Sequence, residues 1–267
     1  YYLSKAALSG RDITTDQFGA YNIRIRKLFE AIYTGYDGNR DCSEFQNVVV
    51  YLKRMWFSNG IYHHYGCEKF VPDFSSDYLR MVIDHTDKSL IPLKDNETID
   101  CFCDEIFPVI FDSSVLPKRV NKADKQDLVT TSACNYYENL TQEEVEKFYN
   151  DMKDGADESM PSYGLNSKLV KRDGSIVECK WTETGMYGPA ISHIIYWLEK
   201  ARDEAENEQQ KKIISILTEY YRTGDLRTFD SFSIEWLKET EGRVDFINGF
   251  IEVYGDPLGL KASWEGF

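Results

Sequence analysis

KLVKRDGSIVECKW, residues 168–181, is where the chain changes period. Two runs rich in Leu, Val and Ile flank Asp173-Gly174. A type I′ turn needs positive φ at both central residues, and Asp-Gly accepts it, so the stretch reads as a β-hairpin. Upstream the apolar residues follow a helical period instead. In 20–34, Ile25, Leu28, Phe29 and Ile32 fall at i, i+3, i+4 and i+7. From about 43 to 57, Phe45, Val48, Val49, Leu52 and Trp56 mark a second helix, stopped by Asn59-Gly60. Ser75 or Ser76 caps a short helix holding Leu79 and Val82. Asn96 caps another holding Ile99, Phe102 and Ile106, with Pro108 after it. At 140–145, Thr141 and Glu144 form a capping box, and Leu140 with Val145 forms a hydrophobic staple. The helix that follows buries Val145, Phe148, Tyr149 and Met152. Residues 153–162, acidic and polar with Gly155 and Pro161, read as a loop or subdomain joint.

Downstream of the hairpin three helices follow. The first carries Ile191, Ile194, Ile195 and Leu198. The second carries Ile213, Ile214, Leu217 and Tyr221 and stops at Gly224; the third carries Phe229, Phe232, Trp236 and Leu237. Residues 244–254 read as a strand. These periods predict an α+β fold, mainly helical, with a small β-sheet or barrel that takes in both the hairpin and 244–254. They divide the chain into a helical part, 1–152, and a mixed α+β part, 153–267. The opening YYLSKAALSG reads as a helix already under way, and the closing SWEGF carries no stop signal. Both ends read as cut from a longer chain.

Composition narrows the function classes. Hydrophobic residues make up 42% and charged residues 28% of 267, which fits a globular protein rather than a disordered one. A net charge of −14 excludes broad binding to a phosphate backbone and favours a cationic ligand group, such as a free amine, or simply an acidic surface. No apolar run approaches the ~20 residues of a membrane span, and no signal peptide is seen. Cys42, Cys67, Cys101, Cys103, Cys134 and Cys179 have no zinc-site spacing and read as core thiols. Of the four histidines, His63 and His64 are adjacent and expected to point apart, and no His pair has the i, i+4 spacing with an intervening Glu that a helical zinc peptidase needs. No catalytic residue and no metal ligand is therefore assigned to this chain.

The last segment is the unusual one. On a strand, Val244, Phe246, Asn248, Phe250, Glu252 and Tyr254 line one face, and Ile247, Gly249, Ile251 and Val253 the other. Glu252 and Tyr254 then stand side by side on an otherwise apolar strand. A carboxylate there needs a partner. Either it pairs with a structural Lys or Arg, or it binds a ligand.

FINGFIEVYGDPLGLKASWEGF (246–267) resembles the substrate-cleft segment of the dipeptidyl peptidase III family. MWFSNGIYHHYGCEKFVP (55–72) resembles a second block of that family. YYLSKAALSGRDI (1–13), YNIRIRKLFEAIY (21–33), SYGLNSKLVK (162–171) and MYGPAISHIIYWLEKA (186–201) look like its bacterial branch. The resemblance implies a two-lobed zinc exopeptidase that removes dipeptides from peptide amino termini. The family's zinc ligands lie in H-E-x-x-G-H and E-E-x-x-A helices of the other lobe, and neither motif is present here. The chain would then be most of the lower, substrate-holding lobe, inactive alone, with zinc and the C-terminal lobe as what the full-length enzyme adds. By matching position, the resemblance implies that Glu252 binds the substrate's free amino group and Tyr254 hydrogen-bonds the peptide near the scissile bond. It implies that Glu265 is a second carboxylate of the amino-terminal subsite and Tyr65 an aromatic cleft wall; Tyr65 packed in a mixed core is the alternative. A stand-alone, non-catalytic binding or scaffold protein of the same fold is the competing function. A peptide with a free amino terminus is the expected partner, with no nucleic acid and no membrane span. The expected compartment is the cytoplasm, with the periplasm left open because the amino terminus that would carry a signal is missing.

Overall fold

The computed structural model describes residues 1–154 and 162–267. In chain order the helices are α1 (Tyr2–Ser9), α2 (Arg11–Gln17), α3 (Asn22–Gly35), α4 (Ser43–Ser58), α5 (Ser76–Asp84) and α6 (Ile99–Phe111). After them come β1 (Tyr137–Glu138), α7 (Gln142–Asp154), β2 (Ser167–Arg172), β3 (Ser175–Lys180), α8 (Gly188–Asp203), α9 (Glu208–Thr223) and α10 (Leu226–Trp236). β4 (Asn248–Glu252) and β5 (Ser263–Gly266) close the chain. The fold is α+β and mainly helical, as the periodicity predicts.

Packing separates two compact units: 18–121 with 131–134, and 1–17 with 122–130 and 135–267. Residue 152, where the sequence suggests a boundary, is not where they divide, because α7 and the β2–β3 hairpin on either side of it share one core. The loop read at 153–162 falls largely on 155–161, outside the described residues.

The first of these units is helical. Ile25, Leu28, Phe29 and Ile32 of α3 are buried together with Phe45, Val48, Tyr51, Leu52 and Met55 of α4. The α4 stripe is thus rotated from the sequence reading: Tyr51 and Met55 complete it, while Trp56 is exposed and donates from Nε1 to Glu30 at 2.8 Å. Asn59 ends α4 in the left-handed region at φ 54°. Ser75 caps α5, its hydroxyl accepting from Tyr78 N. Thr98, not Asn96, caps α6. Thr98 has the extended backbone a cap needs, whereas Asn96 sits at φ 63°. Pro108 lies inside α6 rather than after it. The helix survives because the carbonyl that loses its donor belongs to exposed Asp104. The last turn is then capped by Lys69, whose Nζ donates to the carbonyls of Val109, Asp112 and Val115 at 2.8, 2.6 and 2.7 Å.

The second unit holds every strand. β2 and β3 pair antiparallel through Asp173-Gly174, with φ of 48° and 79°, the I′ turn the dipeptide predicts. β1 joins β2 in parallel, placing Tyr137 beside Leu169. The capping box also forms: Glu144 accepts from Thr141 N at 3.0 Å, and Thr141 Oγ1 accepts from Glu144 N at 3.3 Å. Leu140, Val145, Tyr149 and Leu169 then pack into one core. α8, α9 and α10 stack in succession, with α1 on α8. Leu237, read as part of the last apolar stripe, lies past the end of α10 and is exposed.

β4 and β5 form a separate two-stranded sheet, so the hairpin and the last strand do not share one as predicted. β4 is also shorter than 244–254. Upstream of it, Val244 N bonds Glu206, Val244 O accepts from Gln210 Nε2, and Asp245 accepts from Trp236 Nε1. Those groups are diverted from the ladder, which begins with the reciprocal pair Ile247–Phe267 at 2.7 and 2.9 Å. The outer edge of β5 is met by side chains of α2. Gln17 accepts from Trp264 N at 2.8 Å and donates to Ala262 O at 3.1 Å, and Thr14 donates to Trp264 O at 2.7 Å. Trp264 fills the space between, donating to Tyr221 OH at 2.9 Å, and Tyr221 OH in turn donates to Asn248 at 2.5 Å. This ring dictates Gly10, where a Cβ would lie 2.3 Å from the indole.

Candidate functional site

The site is built on the β4–β5 ladder and the ten-residue connection between the strands. Alternation holds from Phe246 through Asn248 to Phe250, all buried. A bulge between Phe250 and Glu252 then re-aims the chain, and Glu252 emerges exposed, opposite Ser263. Glu265 lies in β5 opposite Gly249 and is half-buried. Ser263 Oγ stands 3.1 Å from the Glu252 carbonyl and 3.5 Å from Glu265 Oε1, with one proton for both. Burial pushes the Glu265 carboxyl above its ordinary range, and the nearby charge of Glu252 adds to this; the Ser263 hydrogen bond opposes it. Among the described residues neither carboxylate has a Lys, Arg or His partner within ion-pair distance. The structural reading of Glu252, a buried salt bridge, therefore does not hold.

Tyr254 is not on the strand. β4 ends at Glu252, and Tyr254 sits two residues on, in a turn, 56% exposed. The period-2 argument that put it beside Glu252 fails at the bulge. Tyr65 belongs to the helical unit, at the tip of a tight turn closed by Cys67 N to His63 O at 2.9 Å. His63 Nδ1 accepts from the backbone N–H groups of Tyr65 and Gly66 at 3.3 and 3.1 Å. Tyr65 is 86% exposed with its ring 4.2 Å from that of His64, so it is not a core aromatic.

Sequence reasoning missed the residues that hold the connection in shape. Asp256 is buried and accepts from Tyr137 OH at 2.7 Å and from the backbone of Leu260 and Lys261 at 2.7 and 2.9 Å. Burial raises its carboxyl, against these donors. Lys261 is 0% exposed. Its ammonium donates to Tyr149 OH and to Ser167 Oγ (3.0 Å), and both hydroxyls donate onward to Glu178 Oε1, at 2.7 and 2.8 Å. The signal available was a lysine in the apolar run LGLKASW.

A zinc site needs three or four ligands converging at about 2.0–2.3 Å. Among the described residues no three His, Cys, Asp or Glu side chains converge in this way. His63 and His64 do not point apart as expected; their rings stack at 4.8 Å, with His63 Nδ1 already engaged. His85 faces Asp37 at 3.5 Å, and His193 is exposed on α8. These residues do not fit a zinc centre, and no chemical step of this chain is routed through one. Nor are the cysteines all core thiols: all six are free, but Cys103 and Cys134 alone are buried.

Glu252, exposed, and Glu265, half-buried, thus stand near one another on a short ladder, without a cationic partner among the described residues. Residues 118–267, more than half of the chain, match the model of peptidase family M49, and the chain belongs to that family. It is 24% identical over 247 residues to dipeptidyl peptidase 3 of Dictyostelium discoideum, covering 84% of this chain and 33% of that protein. It is 31% identical to the Rattus norvegicus dipeptidyl peptidase 3 over 83 residues, which are 31% of this chain and 11% of the relative. The fold is similar to that of DPP III from Caldithrix abyssi, with a TM-score of 0.61 at 19% identity, over 100% of this chain and 37% of that one. The chain spans about a third of the length of the Dictyostelium relative. No described helix is long and apolar enough to cross a membrane.

Proposed function

We propose that this chain is the substrate-holding part of a longer zinc dipeptidyl peptidase that removes dipeptides from peptide amino termini. The observation that carries the reading is the uncompensated pair Glu252 and Glu265, within the residues that match family M49. An exopeptidase that counts two residues from the amino terminus needs an anionic end-stop, and two carboxylates sharing an ammonium supply one. Glu252 takes the amine directly, and Glu265 completes its coordination. Tyr254, on the turn that leaves β4, presents its hydroxyl to the peptide. The zinc and its ligands lie outside these residues, and this chain alone has no peptidase activity. Six free cysteines support a reducing compartment, the cytoplasm.

The test uses the full-length protein and a matched pair of peptides, one with a free amine and one acetylated. The free peptide should be shortened two residues at a time and the acetylated one left intact. In Tyr254→Phe, kcat should fall more than KM rises. Equal cleavage of both peptides, or cleavage at internal bonds, would sink the reading.

A further inference from the structure

Resting on that reading, we propose that Lys261 is a positioning residue of the amine site, its buried ammonium pinning the β4–β5 connection to α7 and the β2–β3 hairpin so that Glu252, Tyr254 and Glu265 keep their spacing. The connection has few other anchors. The Asp256 carboxylate organises it from within, accepting from the backbone of Leu260 and Lys261 and from Tyr137 OH. Ala262 N bonds Leu165 O at 2.9 Å just before β5 begins. Lys261 adds the charged tie. Leu258 and Leu260 of the connection also pack against the core that α7 and the hairpin share, but Lys261 makes the polar tie, to α7 through Tyr149 and to the hairpin through Ser167 and Glu178. The two hydroxyls stand between ammonium and carboxylate, which are 3.9 Å apart, so the pair is bridged as well as attracted. Two residues beyond Lys261, Ser263 holds both the Glu252 carbonyl and the Glu265 carboxyl. A shift of the connection is therefore passed directly to the two carboxylates.

A lysine is a costly choice for a purely structural plug. Methionine would fill the same space without burying a charge, and it is the stranding of a partner, not the loss of the pair, that makes such a replacement costly. Removing the ammonium would not strand Glu178, which keeps Tyr149 and Ser167 as donors. Stability alone does not ask for Lys261. The groups that face its Nζ are Tyr149 on α7, Ser167 on β2, Glu178 on β3, the Tyr137 ring on β1 at 5.9 Å and Asp256 in the connection itself. Burial lowers the lysine to about 8, with Glu178 and Asp256 opposing. The tie is thus charged at neutral pH and is lost just above it.

The experiment is steady-state kinetics of the full-length protein on a free-amine peptide, with thermal unfolding alongside. Lys261→Met should keep its melting temperature while KM rises on the order of tenfold and kcat falls by a smaller factor. In a Glu252→Ala background the same change should add little, because it acts through Glu252. Lys261→Arg, which keeps the charge, should recover most of the KM. The substrate's own amine titrates near pH 8, so the pH readout is the ratio of wild-type to Lys261→Arg KM, which should rise above pH 8. A folded Lys261→Met protein with unchanged KM, beside a Glu252→Ala protein with raised KM, overturns the tether and leaves the amine site standing. An unchanged KM in Glu252→Ala overturns both. If Lys261→Met does not fold, a folded Tyr149→Phe, Ser167→Ala double variant, which removes both hydroxyls that the ammonium donates to, overturns the tether if its KM is unchanged.

Discussion

The connection between β4 and β5 treats charge in two opposite ways. At its ends, among the described residues, Glu252 and Glu265 have no cationic partner, and burial, with the nearby Glu252 charge, holds Glu265 above its ordinary titration range. In its interior, Asp256 and Lys261 are buried, and each has several partners within hydrogen-bond reach. Both regions come from one stretch of fourteen residues, 252–265. The difference is in satisfaction: the interior charges complete a structure, and the end charges are the ones that the proposed function gives to the substrate's amine. The comparison is broken if Asp256 proves dispensable for folding, or if an end charge proves necessary for it.

The largest expected effect is at Asp256. Asp256→Ala removes the buried acceptor of the Tyr137 hydroxyl and of the backbone N–H groups of Leu260 and Lys261. The loss should be about 3 kcal/mol of unfolding free energy, read from denaturant midpoints at constant m-value. Asp256→Asn keeps an accepting oxygen and should lose less. A change below about 0.5 kcal/mol in Asp256→Ala would mean the interior is not the framework it looks like.

How much of this was legible beforehand follows from the range of the forces. The 168–181 hairpin, the Thr141–Glu144 box, the Ser75 cap and the Gly224 stop are local, decided within a few residues, and the sequence displays them. The errors are where tertiary partners overrule local pattern. Trp56 has the spacing of a core residue but turns outward to Glu30, and Pro108 sits within a helix because Lys69, far away in sequence, caps its end. β4 is cut short by Gln210, Glu206 and Trp236. The site was half legible. Glu252 and Glu265 do lie on one ladder, but the face given to Glu252 and Tyr254 was misjudged, since a bulge is one residue's departure from a period of two. Lys261 was missed because its partners Tyr149, Ser167 and Glu178 lie on three other elements.

Next in size is Glu252. As an exposed group with no ion pair, it contributes little to folding, so Glu252→Ala should change unfolding free energy by no more than about 0.5 kcal/mol. Its loss to substrate binding should be far larger. One charge-assisted contact to an ammonium corresponds to about 2 kcal/mol, or roughly 30-fold in KM, with kcat less affected. The contrast between the two numbers sharpens the comparison. A variant that loses several kcal/mol of stability would place Glu252 with the interior charges.

The smallest effect is the most specific, because its sign is opposite for binding and for folding. Glu265 is raised in the folded chain first by burial and then by Glu252. Below the ordinary glutamate value, about 4.3, both folded and unfolded chains hold the proton and nothing is lost. As pH rises, the unfolded chain ionises first, so the folded state loses relative stability until pH has passed the raised value. At neutral pH the Glu265 charge is therefore a small cost to folding. Glu265→Gln removes it, and should stabilise the chain by about 0.5 kcal/mol at pH 7 and by nothing in acid. The same variant should bind peptide several-fold more weakly. In the wild-type protein, KM should rise as pH falls through the range where Glu265 takes up its proton, and that acid limb should be absent in Glu265→Gln. Unfolding curves at pH 7 and in acid, beside a KM profile over the same range, check both halves. Should Glu265→Gln instead destabilise the chain at pH 7, the carboxylate is being used by the fold, and the line between the two kinds of charge moves to leave Glu252 alone at the amine.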